Sequence, residues 1–145
     1  KIYSIIRGED RQLQFDSNFD IKLLPKGFLK GFIDLVFECQ GKFYVLDYKT
    51  NTRVGERAYS PMQLTKSMVE LDFDVQGHLY SLALHQFLSV YMREYDYDQH
   101  YGGYMYIFVR GLDPENPENG VYHHKPDIHV ITSLLGELLP QEVKE

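Results

Sequence analysis

Cysteine is nearly missing from this chain of 145 residues: Cys39 stands alone. No intrachain disulfide can form, and a reducing, cytoplasmic setting is the simplest expectation. Long apolar runs are missing too. None approaches the roughly 20 residues that a membrane helix needs. The opening KIYSIIRGEDRQ lacks the layout of a signal peptide, so no membrane partner is expected. There is no internal repeat, low-complexity tract or Ser/Gly linker. The length suits one domain, residues 1–145, and is too short for two. A first residue of Lys rather than Met leads us to expect a fragment or processed chain.

Positive charge is also scarce. Lys and Arg number 15 against 21 Asp and Glu, for a net charge of −6. That argues against a free-standing nucleic-acid binder, because phosphate contacts need Lys and Arg. The deficit is uneven, however. Residues 1–66 carry 11 basic against 8 acidic side chains, and residues 67–145 carry 4 against 13. A polyanion should therefore meet the N-terminal half.

What is present is enough apolar material for a core, 43% of residues. Residues 1–20 show no clear periodicity and read as an extended or loop region, and LLPKGFLKGF leads on from them. The stretch GFIDLVFECQGKFYVLDYKT, residues 31–50, is two β-prone runs joined by a short polar break, a hairpin pattern. Ser60-Pro61-Met62-Gln63 offers an N-cap, a proline for the first helical position and a capping box, so a helix should run to about Glu70. A longer helix follows, with Asp72 or Asp74 as N-cap and Val75, Leu79, Leu82, Ala83 and Val90 on its apolar face. Gly77 is its weak point. Tyr101–Gly111 reads as a central strand, PENPENG as a loop, and Asp127–Leu139 as a last helix ended by Pro140. The order strand, strand, helix, helix, strand, helix predicts an α/β fold, a mixed central sheet with flanking helices.

The hairpin carries charges where a core strand wants Val or Ile. Asp47 and Lys49 are two apart and share a face of their strand. A two-residue loop at Gln40-Gly41, or a four-residue loop over 39–42, sets Asp34 directly opposite Asp47. A three-residue loop would break that alignment. Facing carboxylates repel, and an unpaired one in an apolar sheet is worse. Lys49 can neutralise them as a structural salt bridge. A divalent metal such as Mg²⁺, which takes carboxylate, carbonyl and water oxygens, explains the pair more fully. Gln76 and Tyr80 are four apart and share one helix face, from which an amide and a phenol can reach the carboxylates or a bound phosphate. The same spacing also suits a polar edge to a core face.

Three motifs now stand in order: Gly31-Phe32-Ile33-Asp34, Asp47-Tyr48-Lys49 and Gln76-Gly77-His78-Leu79-Tyr80. With GFIDLVF, VLDYKTN, LYSLALH, DYDQHYGG and YIFVRG, over roughly residues 23–126, the chain resembles the C-terminal nuclease domains of exodeoxyribonuclease V beta subunits. These form the RecB-type branch of the PD-(D/E)xK nuclease superfamily. The resemblance implies a restriction-endonuclease-like core, truncated at its N-terminus, in the C-terminal part of a helicase-nuclease that processes double-strand DNA ends in recombinational repair. It implies Mg²⁺-dependent exodeoxyribonuclease chemistry, with Mn²⁺ or Ca²⁺ able to substitute in binding. Its metal ligands would be Asp34, Asp47 and the Tyr48 carbonyl. Lys49 would position the attacking water and stabilise charge on the phosphate. Gln76 and Tyr80 would orient Lys49 or contact the DNA backbone. The implied partners are DNA, the helicase region of the same full-length chain and other subunits of an exodeoxyribonuclease V complex.

One departure stands out. The family adds a metal-ligating His from a helix well upstream of the first Asp, whereas Asp34 has 33 residues before it. Weak metal binding and slow or no cleavage are therefore expected of this chain. His78 and His85 match no family ligand and read as structural, and His123 and His124 read as loop residues. Two other readings stay open: a nuclease-like module kept for protein or regulatory contacts without catalysis, and a related nuclease acting on RNA or short overhangs.

Overall fold

The computed structural model describes residues 1–9, 22–24, 28–55 and 57–138. In chain order its elements are α1 (Ile2–Arg7), β1 (Lys22–Leu24), β2 (Phe28–Lys30), β3 (Leu35–Cys39), β4 (Lys42–Lys49), α2 (Pro61–Glu70), α3 (Phe73–Tyr91), α4 (Tyr97–His100), β5 (Tyr101–Phe108), β6 (Val121–His124) and α5 (Ile128–Leu138). The main sheet has the order β3-β4-β5-β6, with β4 and β5 parallel and both outer pairs antiparallel. β1 and β2 form a separate antiparallel pair. This is the mixed sheet with flanking helices that the sequence predicts.

The β3–β4 turn has two residues. Gln40 and Gly41 both take positive φ, 52° and 75°, which is the type I′ geometry whose twist matches that of a hairpin. Cys39 pairs with Lys42, and the ladder runs in register to Leu35 opposite Leu46. β5 lies in the sheet interior between β4 and β6. It stops at Phe108, short of the expected Gly111, because Val109–Gly111 coil into one tight helical turn. A Cβ at Gly111 would lie 2.3 Å from the Tyr59 ring, so the chain packs there in a way a strand residue with a side chain could not.

Several local expectations need correction. Part of the supposed N-terminal loop is helical: α1 buries Tyr3 completely and gives its Tyr3 hydroxyl to the Asp72 carboxylate at 2.6 Å. Six residues are too few to show a period or to hold a helix alone, so packing makes this one. Residues 10–20 and the end of the last helix, Leu139 with Pro140, lie outside the described residues. Ser60 does sit at the N-cap of α2, but its hydroxyl makes no capping bond. Pro61 and the Ser60 carbonyl, which accepts the Leu64 N–H at 2.9 Å, set that end instead. Asp72 is the N-cap residue of α3, again without a side-chain cap bond. Its carboxylate is taken by Tyr3 and by Arg7, and Arg7 also binds Asp74. His123 and His124 are in β6, not a loop, because Met105 and Tyr104 of β5 pair with them.

The apolar face of α3 is also not quite the expected one. Val75, Leu79 and Leu82 are buried, but Ala83 and Val90 are exposed, and Leu84 and Leu88 take their place. The first ten residues of the helix are buried on all sides because sheet and helices enclose them, so no single stripe describes them. Gly77 has a clear purpose here. A Cβ at that position would lie 2.5 Å from the Tyr104 ring, so only glycine lets α3 approach β5 this closely.

This packing makes the effect of a methyl group at Gly77 predictable. Gly77→Ala gains up to about 1 kcal/mol of helix propensity, but overpacking against Tyr104 costs about 1–3 kcal/mol. The steric cost outweighs the gain, so the thermal unfolding midpoint should fall by a few degrees. A second expectation concerns pH. Burial lowers the His78 and His124 imidazoles from their ordinary 6.5, and each ring packs on Tyr104. The unfolded chain then binds more protons than the folded one just below that value. Stability should be constant above about pH 6.5 and decline as pH falls through it, a slope that urea titrations at pH 7.5 and 5.5 will measure and that His78→Phe should flatten.

Candidate active site

β4 carries Asp47 and Lys49 on one face, and both are buried, at 3% and 7% exposure. The Lys49 Nζ lies 2.7 Å from the Asp47 Oδ2. Two buried charges need more than each other, and α3 supplies the rest. Lys49 donates to the Gln76 Oε1 at 3.2 Å, and Gln76 Nε2 donates to the Tyr80 hydroxyl at 3.3 Å. Tyr80 in turn donates to the Phe32 carbonyl at 2.5 Å. The i, i+4 pair expected on α3 is therefore one continuous hydrogen-bonded path from the lysine to the segment before Asp34.

Two contributors escaped the sequence reading. Tyr106 of β5 donates its hydroxyl to the Gln76 Oε1 at 2.6 Å. Burial first, and then the Asp47 charge, hold that phenol well above its ordinary value, so it stays a donor. Lys49 Nζ also lies 4.1 Å from the centre of the Phe73 ring and 5.2 Å from that of Tyr106. Two aromatic faces thus help to hold the ammonium out of water. Tyr106 is the register partner of Asp47 across the parallel β4–β5 ladder. The only signal for it was the alternation of β5, which is silent without that register.

Asp34 is placed differently from Asp47. The ladder closes one pair early, at Leu35 and Leu46, and Asp34 sits in a bend ahead of β3. Its side chain, not its backbone, reaches β4: Asp34 Oδ2 accepts the Tyr48 N–H at 2.9 Å. Asp34 is exposed and Asp47 is buried, so the two carboxylates do not face each other inside an apolar sheet. Tyr48 turns its ring outward, half exposed. The site lies at the carboxyl ends of the parallel strands β4 and β5, where open α/β sheets bind ligands.

Asp34, Asp47 and the Tyr48 carbonyl are all hard oxygen donors, a set that fits a cation such as Mg²⁺ with water filling its other positions. Among the described residues, no three His, Cys, Asp or Glu side chains gather as a metal-holding group. The expected structural histidines lie elsewhere. His78 Nδ1 is 2.7 Å from the Asp74 carbonyl oxygen, and His85 Nδ1 is 3.1 Å from the Tyr95 hydroxyl. His123 Nε2 is 2.8 Å from the Gly102 carbonyl oxygen. Among the described residues, no helix is long and apolar enough to cross a membrane.

Comparison with known proteins places the chain in a family. Residues 5–137 match the PD-(D/E)XK nuclease superfamily. The RecBCD enzyme subunit RecB of Escherichia coli strain K12 is 44% identical over 115 residues, covering 78% of this chain and 10% of that protein. Its counterpart in Haemophilus influenzae is 40% identical over 112 residues, 77% of this chain and 9% of that protein. The Mycobacterium tuberculosis H37Rv protein is 42% identical over 90 residues, 60% of this chain and 8% of the relative. This chain thus spans about a tenth of the length of the curated relatives it matches. With a match that runs through every element from β1 to β6, the chain belongs to the PD-(D/E)XK nuclease superfamily.

Proposed function

We propose that this chain is part of the nuclease domain of a RecB-type helicase-nuclease, a domain that hydrolyses DNA phosphodiester bonds as a divalent-metal-dependent exodeoxyribonuclease, and that the chain by itself cleaves slowly or not at all. The observation that carries this reading is the buried lysine. Lys49 is held by Asp47, Gln76 and two aromatic rings, and the exposed carboxylate of Asp34 accepts the N–H of Tyr48, the residue between Asp47 and Lys49 on β4. A salt bridge needed only for stability has no use for that exposed acid, or for a path of hydrogen bonds leading to its segment.

Hydrolysis requires a water aligned for attack on phosphorus, charge stabilisation as the P–O bond to the leaving oxygen breaks, and a proton acceptor for the water. Lys49 fits the first two tasks, since its ammonium has one direction fixed by Asp47 and another by Gln76. Gln76 and Tyr80 hold that direction and are positioning residues. Asp34, Asp47 and the Tyr48 carbonyl would hold Mg²⁺, with Mn²⁺ or Ca²⁺ as substitutes in binding. When bound, the ion would polarise a phosphoryl oxygen and lower the pKa of its water.

The relatives are named as subunits of the RecBCD enzyme. By that likeness the partners of this chain are the other subunits of such a complex and a helicase region of the full-length protein, and its setting is the cytoplasm. The net charge of −6 fits a domain to which other parts of a complex deliver the DNA.

Two measurements test the reading. Calorimetric titration with Mg²⁺ or Mn²⁺ should give a binding heat that Asp47→Asn, equal in shape but uncharged, removes; equal heats from both proteins would reject the metal site. In the full-length protein, Lys49→Ala should reduce Mg²⁺-dependent degradation of linear DNA by about 100-fold or more. Without metal this variant also takes the ammonium away from the buried Asp47 carboxylate and costs about 3–5 kcal/mol, a loss that saturating Mg²⁺ should largely reverse. Retained cleavage together with an unfolding midpoint that stays low in Mg²⁺ would favour the structural salt bridge instead.

A further inference from the structure

The stretch YIFVRG carries Arg110 past the carboxyl end of β5 and into the tight turn Val109–Gly111. Phe108, two residues earlier, is the register partner of Lys49. Arg110 is exposed, but one end of its guanidinium is fixed: Nε donates to the Thr50 carbonyl at 2.9 Å. Thr50 follows Lys49 directly and stands two residues beyond Tyr48, about 6.5 Å at the rise of an extended chain. The guanidinium therefore sits at the end of β4 that carries Asp47, Tyr48 and Lys49.

The turn beneath it is held by Tyr59. Gly111 packs on the Tyr59 side chain, the Tyr59 carbonyl accepts the Gly120 N–H at 2.9 Å, and the Gly120 carbonyl accepts the Phe108 N–H at 2.7 Å. The Tyr59 hydroxyl also donates to the Asn51 carbonyl and accepts the Arg53 N–H, both at 3.0 Å. The turn after β5 and the loop after β4 are thus tied to one side chain. Arg53 repeats the anchoring, with its Nε donating to the Ala58 carbonyl at 3.0 Å.

An arginine has five N–H donors, and an anchor at Nε leaves the fork of two Nη groups free. Among the described residues, neither Arg110 nor Arg53 pairs with a carboxylate. For Arg110 this is notable, since residues 67–145 hold 13 acidic side chains against 4 basic ones. A guanidinium already oriented by its Nε, with its fork open, suits bidentate contact with a phosphate. The charge pattern of the sequence pointed a polyanion to the N-terminal half. Parallel pairing of β4 with β5 adds to that surface a cation from the acidic half.

We infer that Arg110 is a phosphate-binding residue whose two Nη groups grip the backbone phosphate next to the scissile one. This rests on the proposed function and adds to it a contact that neither Lys49 nor the metal-binding oxygens make.

The test uses the full-length protein in Mg²⁺ with short oligodeoxynucleotides in which one phosphate at a time is replaced by an uncharged methylphosphonate. Product lengths show which bond is cut. Wild-type cleavage should fall about tenfold at the bond beside the neutral position. Arg110→Gln should lose about tenfold on all-phosphate DNA, more in KM than in kcat, and the methylphosphonate should then cause no further loss. The slope of log(kcat/KM) against log[salt] should become shallower by about 1. Arg110→Lys keeps the charge without the fork, so it should regain the slope and only part of the rate. The unfolding midpoint of Arg110→Gln should match the wild type. Losses from Arg110→Gln and the methylphosphonate that multiply independently overturn the contact. An unchanged salt slope with a lowered unfolding midpoint overturns it too, since it marks a staple for the loop at Thr50. Either result leaves the nuclease reading standing wherever Lys49-dependent cleavage is found in the same assay. A full-length protein that cuts no DNA in Mg²⁺ overturns both together.

Discussion

A buried ion pair is costly unless its surroundings complete it, and the Asp47–Lys49 pair governs much of this structure. Removing either charge from water carries a penalty of several kcal/mol. Repayment comes from three elements at once: Asp47 itself on β4, Gln76 on α3, and the Tyr106 and Phe73 rings from β5 and α3. Moving α3 would strand an ammonium among aromatic rings. The position of the helix over the sheet is therefore a condition of the site, and it explains a glycine in the most buried part of that helix. Gly77 follows Gln76 and rests on the Tyr104 ring, so the contact that brings the helix close also delivers the amide to the lysine.

A second charged group secures the same helix from its other side. Arg7 of α1 binds both Asp72 and Asp74 at the start of α3, and Tyr3 adds its hydroxyl to Asp72. Asp72 is held in a left-handed conformation, φ 56°, that a non-glycine residue adopts only with support. Both the entry to α3 and its first two turns are thus held by polar contacts, one set structural and the other at the candidate site. The two differ in one respect: beside the second set on β4, the Tyr48 N–H is taken by the exposed carboxylate of Asp34.

How far the sequence could be read depended on the range of the interaction concerned. The hairpin with its two strands and the start of α2 at Pro61 are written in neighbouring residues, and each was legible. The capping bonds at Ser60 and Asp72 were not, because distant groups compete for those side chains or make them unnecessary. α1 and β6 were missed for a related reason. One is too short to form without Tyr3 in the core, and the other exists as a strand only because β5 offers it an edge. Ala83 and Val90 were placed inside by periodicity alone, which cannot tell where the neighbouring elements end.

By itself the sequence determined the hairpin, the shared face of Asp47 and Lys49, and the pairing of Gln76 with Tyr80 on one turn-spaced face. Each follows from a fixed local period of two or of 3.6 residues. Only the tertiary structure decided that β5 runs parallel beside β4, which brings Tyr106 level with Asp47. It also decided that Lys49 is buried between two rings and that Asp34 leaves the ladder to stand in solvent. Parallel pairing joins residues about sixty positions apart across the three helices α2, α3 and α4, and no local period carries that information. Burial follows from that pairing, so the environments of the charges, unlike their spacing, belong to the fold as a whole.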